Sequence, residues 1–178
     1  GNGYEKNNMT ASCTNFLLRN GTKNKTAFAI NEFFEFYGAY LSRQCYHETA
    51  SVKLHSLSKY LPQLLPVVNE LLTESVFPEE EFSIYKQNQK QSLEVSLKKC
   101  DFVANRLIDE YLFGFSHPYG RYASASDYDN LERNNLIHFY DDHYINGRCI
   151  LFSAGNLPDY IETLLNNNQA TAFLNHLT

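Results

Sequence analysis

Ser12-Cys13-Thr14-Asn15-Phe16-Leu17-Leu18-Arg19-Asn20-Gly21-Thr22-Lys23-Asn24 decides the fold of this chain. It is the end of an apolar segment, about Asn8 to Leu18, running into a Gly-Thr-Lys turn. The segment is apolar enough for a buried helix. Gly21 ends it, because glycine tolerates the left-handed backbone of a helix stop. Thr26 then caps a second helix, with Phe28, Ile30, Phe33, Phe34 and Tyr37 as its apolar stripe. At this spacing the stripe reads as core rather than as a ligand pocket. Phe36 falls off it and is left to face a partner. Gly38 closes the helix.

Further along, Ala39 to His47 and Ala50 to Leu57 read as two strands of a hairpin around Glu48. In the second, Val52, Leu54 and Leu57 alternate with polar residues. Lys59 to Leu72 is a helix with Leu61, Leu64, Leu65, Val68 and Leu71 inward. Pro62 suits its first turn and Pro66 is expected to kink it. Phe77-Pro78-Glu79-Glu80-Glu81 opens a long helix, since proline and acidic residues favour a helix start. That helix extends to about Lys99, and another runs from about Asp101 to Leu112. His117-Pro118-Tyr119-Gly120 is a turn, with His117 placed to orient Arg121. Ser126 or Asp127 opens a short helix, and Glu132 to Tyr144 forms a longer one. Arg148 to Ser153 is a strand, because Cys149-Ile150-Leu151-Phe152 is a continuous apolar run. Asn156 and Pro158 cap a last helix, and Asn166-Asn167-Asn168-Gln169 is a loop or helix end. Helices separated by strands give an α/β layered class, with helices packed on a mainly antiparallel sheet.

The chain has 178 residues, 43% hydrophobic and 20% charged, enough for one globular domain over 1–178. A net charge of −5 with scattered Lys and Arg argues against nucleic acid. Nowhere do enough apolar residues run together to span a bilayer. Cys13, Cys45, Cys100 and Cys149 lie far apart without a C-x-x-C pair, so they read as buried thiols rather than a structural zinc site.

Several blocks carry a family resemblance: Gly21-Thr22-Lys23-Asn24, Gly38-Ala39-Tyr40-Leu41, Phe77-Pro78-Glu79-Glu80-Glu81, His117-Pro118-Tyr119-Gly120-Arg121 and Ser153-Ala154-Gly155-Asn156. Each is common alone, but their order and spacing together resemble the insulinase, pitrilysin and mitochondrial-processing-peptidase family of zinc metallopeptidases. In active members the helix before the Gly-Thr-Lys turn carries H-x-x-E-H. Counted back from Gly21, those five positions fall on Ser12, Cys13, Thr14, Asn15 and Phe16. The third zinc ligand of active members is a Glu on the long helix after the Phe-Pro-Glu block, and its position falls on Ser92. Glu94 is two residues on, about 200° round a helix, and faces away. Tyr85 takes the place of another acidic residue common in active members.

The resemblance therefore implies a degenerate domain. Zinc in such a site needs three N, O or S ligands and an open position for water, and a carboxylate to deprotonate that water. Ser12, Phe16 and Ser92 do not hold zinc together, and Asn15 is no base. The expectation is no catalytic residue, no metal and no cofactor in this chain, with zinc in an active partner domain or subunit of the same family. The partner and this domain would enclose a peptide substrate chamber. The family's first helix follows strands absent here, so the chain reads as part of a larger protein. No compartment is assigned. A stand-alone peptide-binding or assembly module is the alternative, and a peptidase with an unorthodox site is a third reading.

In active members the strand at Gly38 to Gln44 pairs with the substrate by strand addition, which reads backbone more than sequence. The resemblance thus implies peptide contacts at Tyr40, Leu41 and Ser42, with Tyr40 and Ser42 on one face and Leu41 and Arg43 on the other. The remaining polar residues have plainer readings. Cys13 lacks a predictable base and reads as a core thiol. His47 and Glu48 point to opposite faces at a solvent-facing hairpin tip. His138 and His143 are spaced wrongly for two ligands on one helix face.

Overall fold

A computed structural model describes residues 1–167. Among them are eight α-helices and one antiparallel hairpin, the α/β arrangement expected. After a short 3-10 turn at Asn2–Tyr4, α1 spans Thr10–Leu17 and α2 spans Ala27–Phe36. Thr26 caps α2 as expected, its side chain accepting from the Ala29 N–H at 3.2 Å. Gly38, at φ +57°, stops it, and the Ala39 N–H returns to the Phe34 carbonyl. Gly21 serves a different need. A Cβ there would come within 2.8 Å of Pro78 Cγ, so the turn after α1 lies directly on the start of the long helix.

The hairpin pairs β1 (Tyr40–Cys45) with β2 (Ala50–His55), in register Tyr40↔His55 through Cys45↔Ala50. α3 (Leu61–Thr73) follows, with Pro62 in its first turn and Pro66 inside it. α4 (Glu79–Ser96) begins after Pro78 with three glutamates in its first turn. α5 is Cys100–Phe113, α6 Ala125–Asn130, α7 Arg133–Tyr140 and α8 Ile161–Leu165. A π-helical turn, Asp141–Ile145, extends α7 to nearly the expected length.

Two apolar clusters hold these elements. One joins Ile30 and Phe34 of α2, Leu41 of β1 and Leu64, Val67, Val68 and Leu71 of α3. The other joins Cys13, Leu17 and Leu18 at α1 with Phe77, Phe82 of α4, Leu131, Leu136 and Tyr140. Val52 of β2 and Leu72 of α3 pack against both, so the hairpin is clamped between them. Phe77 meets Tyr140 edge-on at 5.2 Å, and Arg133 donates to the carbonyls of Val76 and Phe77.

The structure corrects several expectations. Arg148 to Ser153 is not a strand. It has no partner strand among the described residues, and Phe152 is 89% exposed. An apolar run becomes a strand only where a neighbour takes its N–H and C=O groups. Phe28 is not in the core but 74% exposed. It lies two residues before buried Ile30, about 200° round the helix. Leu57 is likewise exposed, beyond the end of β2. The short helix opens at Ser124, not Ser126 or Asp127, because Ser124 and Asp127 form a reciprocal capping box. The last helix starts after Tyr160, beyond Asn156 and Pro158. Only Cys13 of the four cysteines is buried; Cys100 and Cys149 are exposed. Asn168 and Gln169 of the expected polar loop lie outside the described residues.

Candidate functional site

α1 is anchored at its start by a residue far from any sequence motif. Glu5 accepts the N–H of Met9 at 3.1 Å and of Ala11 at 2.8 Å, and lies 3.7 Å from Arg121. These bonds satisfy donors that a helix start leaves open, and suit a negative charge at the positive end of the helix dipole. Burial nevertheless pushes the Glu5 carboxyl up from its ordinary value; the Ala11 and Met9 N–H bonds and Arg121 oppose that shift. As expected, His117 holds the turn before Arg121: its carbonyl accepts the Arg121 N–H at 3.0 Å and its ring accepts the Tyr119 N–H, while the Arg121 side chain lies against Glu5.

From that anchor α1 presents Ser12, Asn15 and Phe16. Asn15 is fully buried; its amide donates to the Tyr144 hydroxyl at 3.0 Å, while its Oδ1 has no partner. Phe16 stacks on Tyr85 of α4, centroids 6.1 Å apart and planes 26° from parallel. The Arg43 guanidinium of β1 sits 5.6 Å from the Phe16 centroid, and its Nη1 donates to the Phe16 carbonyl. One aromatic-cation cluster thus ties α1, α4 and β1 together. Burial, with Cys13 and Tyr128 beside it, holds the Tyr85 phenol well above its ordinary value; Arg43 and then the Ser12 hydroxyl pull the other way. Burial also raises Tyr144. Arg43 is brought down to about 10, first by burial and then by Arg19, so it stays a cation at neutral pH.

Ser92 does not join this cluster. It is exposed, two turns beyond Tyr85, and its side chain meets no partner among the described residues. Glu94 is exposed too. The residues present do not fit zinc. Ser12 and Ser92 offer neutral hydroxyls, and Phe16 offers a ring engaged by Tyr85 and the Arg43 cation. Cys13 supplies no thiolate, since burial pushes its thiol up to about 12. Among the described residues no three His, Cys, Asp or Glu side chains stand close enough to bind a metal ion.

The expected peptide strand has the alternation anticipated. Tyr40 is 62% exposed, Leu41 is 2% exposed and fixed in the core, and Ser42 and Arg43 are half-buried. The hairpin tip faces solvent as expected, and His47 and Glu48 both reach Tyr119. The His47 ring lies 4.3 Å from that of Tyr119, and Glu48 accepts the Tyr119 hydroxyl at 2.9 Å. His143 packs on Phe139 at 4.3 Å, and burial lowers its pKa.

The family model described as Insulinase (Peptidase family M16) matches residues 4–114. The chain belongs to the insulinase family. The probable mitochondrial-processing peptidase subunit beta of Schizosaccharomyces pombe is 26% identical over 157 residues, 85% of this chain and 34% of that protein. Cytochrome b-c1 complex subunit 1 of Mus musculus is 22% identical over 158 residues, 86% of this chain and 32% of that protein. The chain thus spans about a third of the length of the curated relatives it matches. Among solved structures, a peptidase M16 inactive domain from Pseudomonas fluorescens superposes with a TM-score of 0.71 at 24% identity, over 78% of this chain and 35% of that one. A Helicobacter pylori protease superposes at 0.81 and 16% identity, over 97% of this chain and 43% of that one. These likenesses are in fold. The insulinase-family fold is kept here.

Sequence reading missed Arg43, Tyr144 and Glu5 as members of this site. The strand alternation placed Arg43 with Leu41 on the face opposite Tyr40 and Ser42, which was a usable signal. Tyr144 and Glu5 reach α1 through loops and a π-helical turn, and no local pattern announces that.

Proposed function

We propose that this insulinase-family domain is non-catalytic and helps enclose a peptide chamber with an active domain or subunit of the same family, which carries the zinc. The observation that carries this reading is the packing of Phe16, which the resemblance aligns with a metal ligand of active members, against Tyr85 and Arg43. Neither a metal-activated water nor a base at Asn15 is available to cut a peptide bond. Ser12, Asn15, Phe16 and Ser92 are read as the degenerate zinc and base positions. Tyr40, Leu41 and Ser42 are read as contacts to an extended peptide pairing along β1, with buried Leu41 fixing the strand.

An assembly role is favoured by α5. This 14-residue helix has no buried residue, and Leu107, Ile108, Tyr111 and Leu112 along it are all exposed. Contiguous apolar surface of this kind supports cover by another domain. The test is reconstitution. The chain is mixed with an active family subunit from the same organism and an unstructured peptide, and products are followed by mass spectrometry. The chain alone yields no product, and adding it to the active subunit raises cleavage. Chelator-sensitive cleavage that tracks this chain alone through purification overturns the reading.

A further inference from the structure

Arg43 is a half-buried cation without an anion. Its Nη1 donates to the Phe16 carbonyl, and its Nε is buried with no acceptor at all. The ion pairs among the described residues are Lys25–Glu70, Lys90–Asp129 and Arg121–Glu5, so neither Arg43 nor Arg19 has a carboxylate within 4.0 Å. Arg19, just past the end of α1, is near enough to repel Arg43. The uncompensated Arg43 guanidinium beside the aromatic stack is costly, because a buried donor left unmade loses its hydration without replacement. The Ser12 and Tyr85 hydroxyls lie at the same cluster.

We propose that this cluster is a carboxylate site: Arg43, with Arg19 beside it, binds the carboxylate of a peptide lying along β1. A guanidinium presents two parallel N–H groups that match the two oxygens of a carboxylate. Arg43 as a residue remains partly exposed to solvent, on a strand paired with β2 along one edge. The site replaces a metal's positive charge with a fixed organic cation, which holds an anionic group and performs no chemistry on it. It rests on the reading of β1 as the peptide-pairing strand.

Nuclear magnetic resonance of the chain labelled with nitrogen-15 tests it, through the Arg43 Nε–H signal. Four probes are titrated: a short extended peptide with a free C-terminal carboxylate, its C-terminal amide, the amide carrying one internal Glu, and sodium acetate. The free-acid peptide should bind at least about tenfold tighter than the plain amide, as a charge-assisted bidentate pair implies, and should shift the Arg43 Nε–H signal. The Glu-containing amide separates a side-chain carboxylate from a terminal one. Arg19→Gln, which leaves the Phe16 bond untouched, should reduce the preference, and Arg43→Lys should abolish most of it. Equal binding of acid and amide overturns the carboxylate site while leaving strand pairing intact. Acetate shifting Arg43 Nε–H with no peptide bound keeps the site and removes the strand-pairing reading. No shift with any probe overturns the site.

Discussion

Truncating Phe16 should cost far more stability than truncating an exposed phenylalanine of the same family of helices. Phe16 is half-buried, stacked on Tyr85 and approached by Arg43. A phenylalanine carries roughly 150–250 Å² of contact surface, and removing about 80 Å² of it costs about 2 kcal/mol at roughly 25 cal/mol per Å². The stack adds about 0.5–1.5 kcal/mol and the guanidinium about 0.5–1 kcal/mol. These overlap, so Phe16→Ala should destabilise by about 3 kcal/mol, and Phe36→Ala, 81% exposed, by under about 0.5 kcal/mol. The chain has no Trp and 13 Tyr, so urea unfolding followed by tyrosine fluorescence and far-ultraviolet circular dichroism is the assay. A double-mutant cycle of Phe16→Ala with Tyr85→Leu should show a coupling of about 1 kcal/mol. Equal losses for Phe16→Ala and Phe36→Ala, or no coupling to Tyr85, would refute the idea that this stack joins α1 to α4.

Further outcomes follow from the same geometry. Native protein exposed to a thiol-alkylating reagent at neutral pH should react at Cys100 and leave Cys13 unmodified, because burial keeps Cys13 protonated; peptide mapping with early labelling of Cys13 would contradict this. Burial raises the Glu5 carboxyl above 4.5, so the native state holds that proton more tightly than the unfolded chain, and stability falls as pH rises from about 4.5 through the raised value. Glu5→Gln should flatten this part of a urea-midpoint profile, and an unchanged slope would discount Glu5. Ser12→His, Asn15→Glu, Phe16→His and Ser92→Glu combined should create cobalt affinity, and adding Arg43→Gln should raise it by removing a cation. A folded variant without a tetrahedral cobalt spectrum would mean the four positions do not converge, with exposed Ser92 the first suspect.

Features set by local chemistry were legible in the sequence. Thr26, Gly38, Pro78 and the three glutamates each act within one turn of their own position, so the starts and stops of α2 and α4 came out closely. The hairpin followed from period-two alternation around Glu48. Features needing a distant partner were not legible. The run Cys149-Ile150-Leu151-Phe152 has strand composition, yet nothing among the described residues pairs with it. Phe28 has core composition but the wrong angle relative to Ile30 and Phe34. At the site, the family resemblance, counted back from Gly21, singled out Ser12, Asn15 and Phe16, which share α1. It did not reveal that a strand arginine would reach the Phe16 carbonyl, or that Tyr144 would cover Asn15. Both arrive by tertiary packing across more than twenty residues of chain.

Zinc content measured by elemental analysis, after dialysis against micromolar zinc and then metal-free buffer, tests the central claim most directly. The domain described here, with Phe16, Tyr85 and Arg43 packed together and only hydroxyls at Ser12 and Ser92, should retain no stoichiometric zinc. About one zinc per chain, lost on changing Ser12 or its neighbours, would contradict the account.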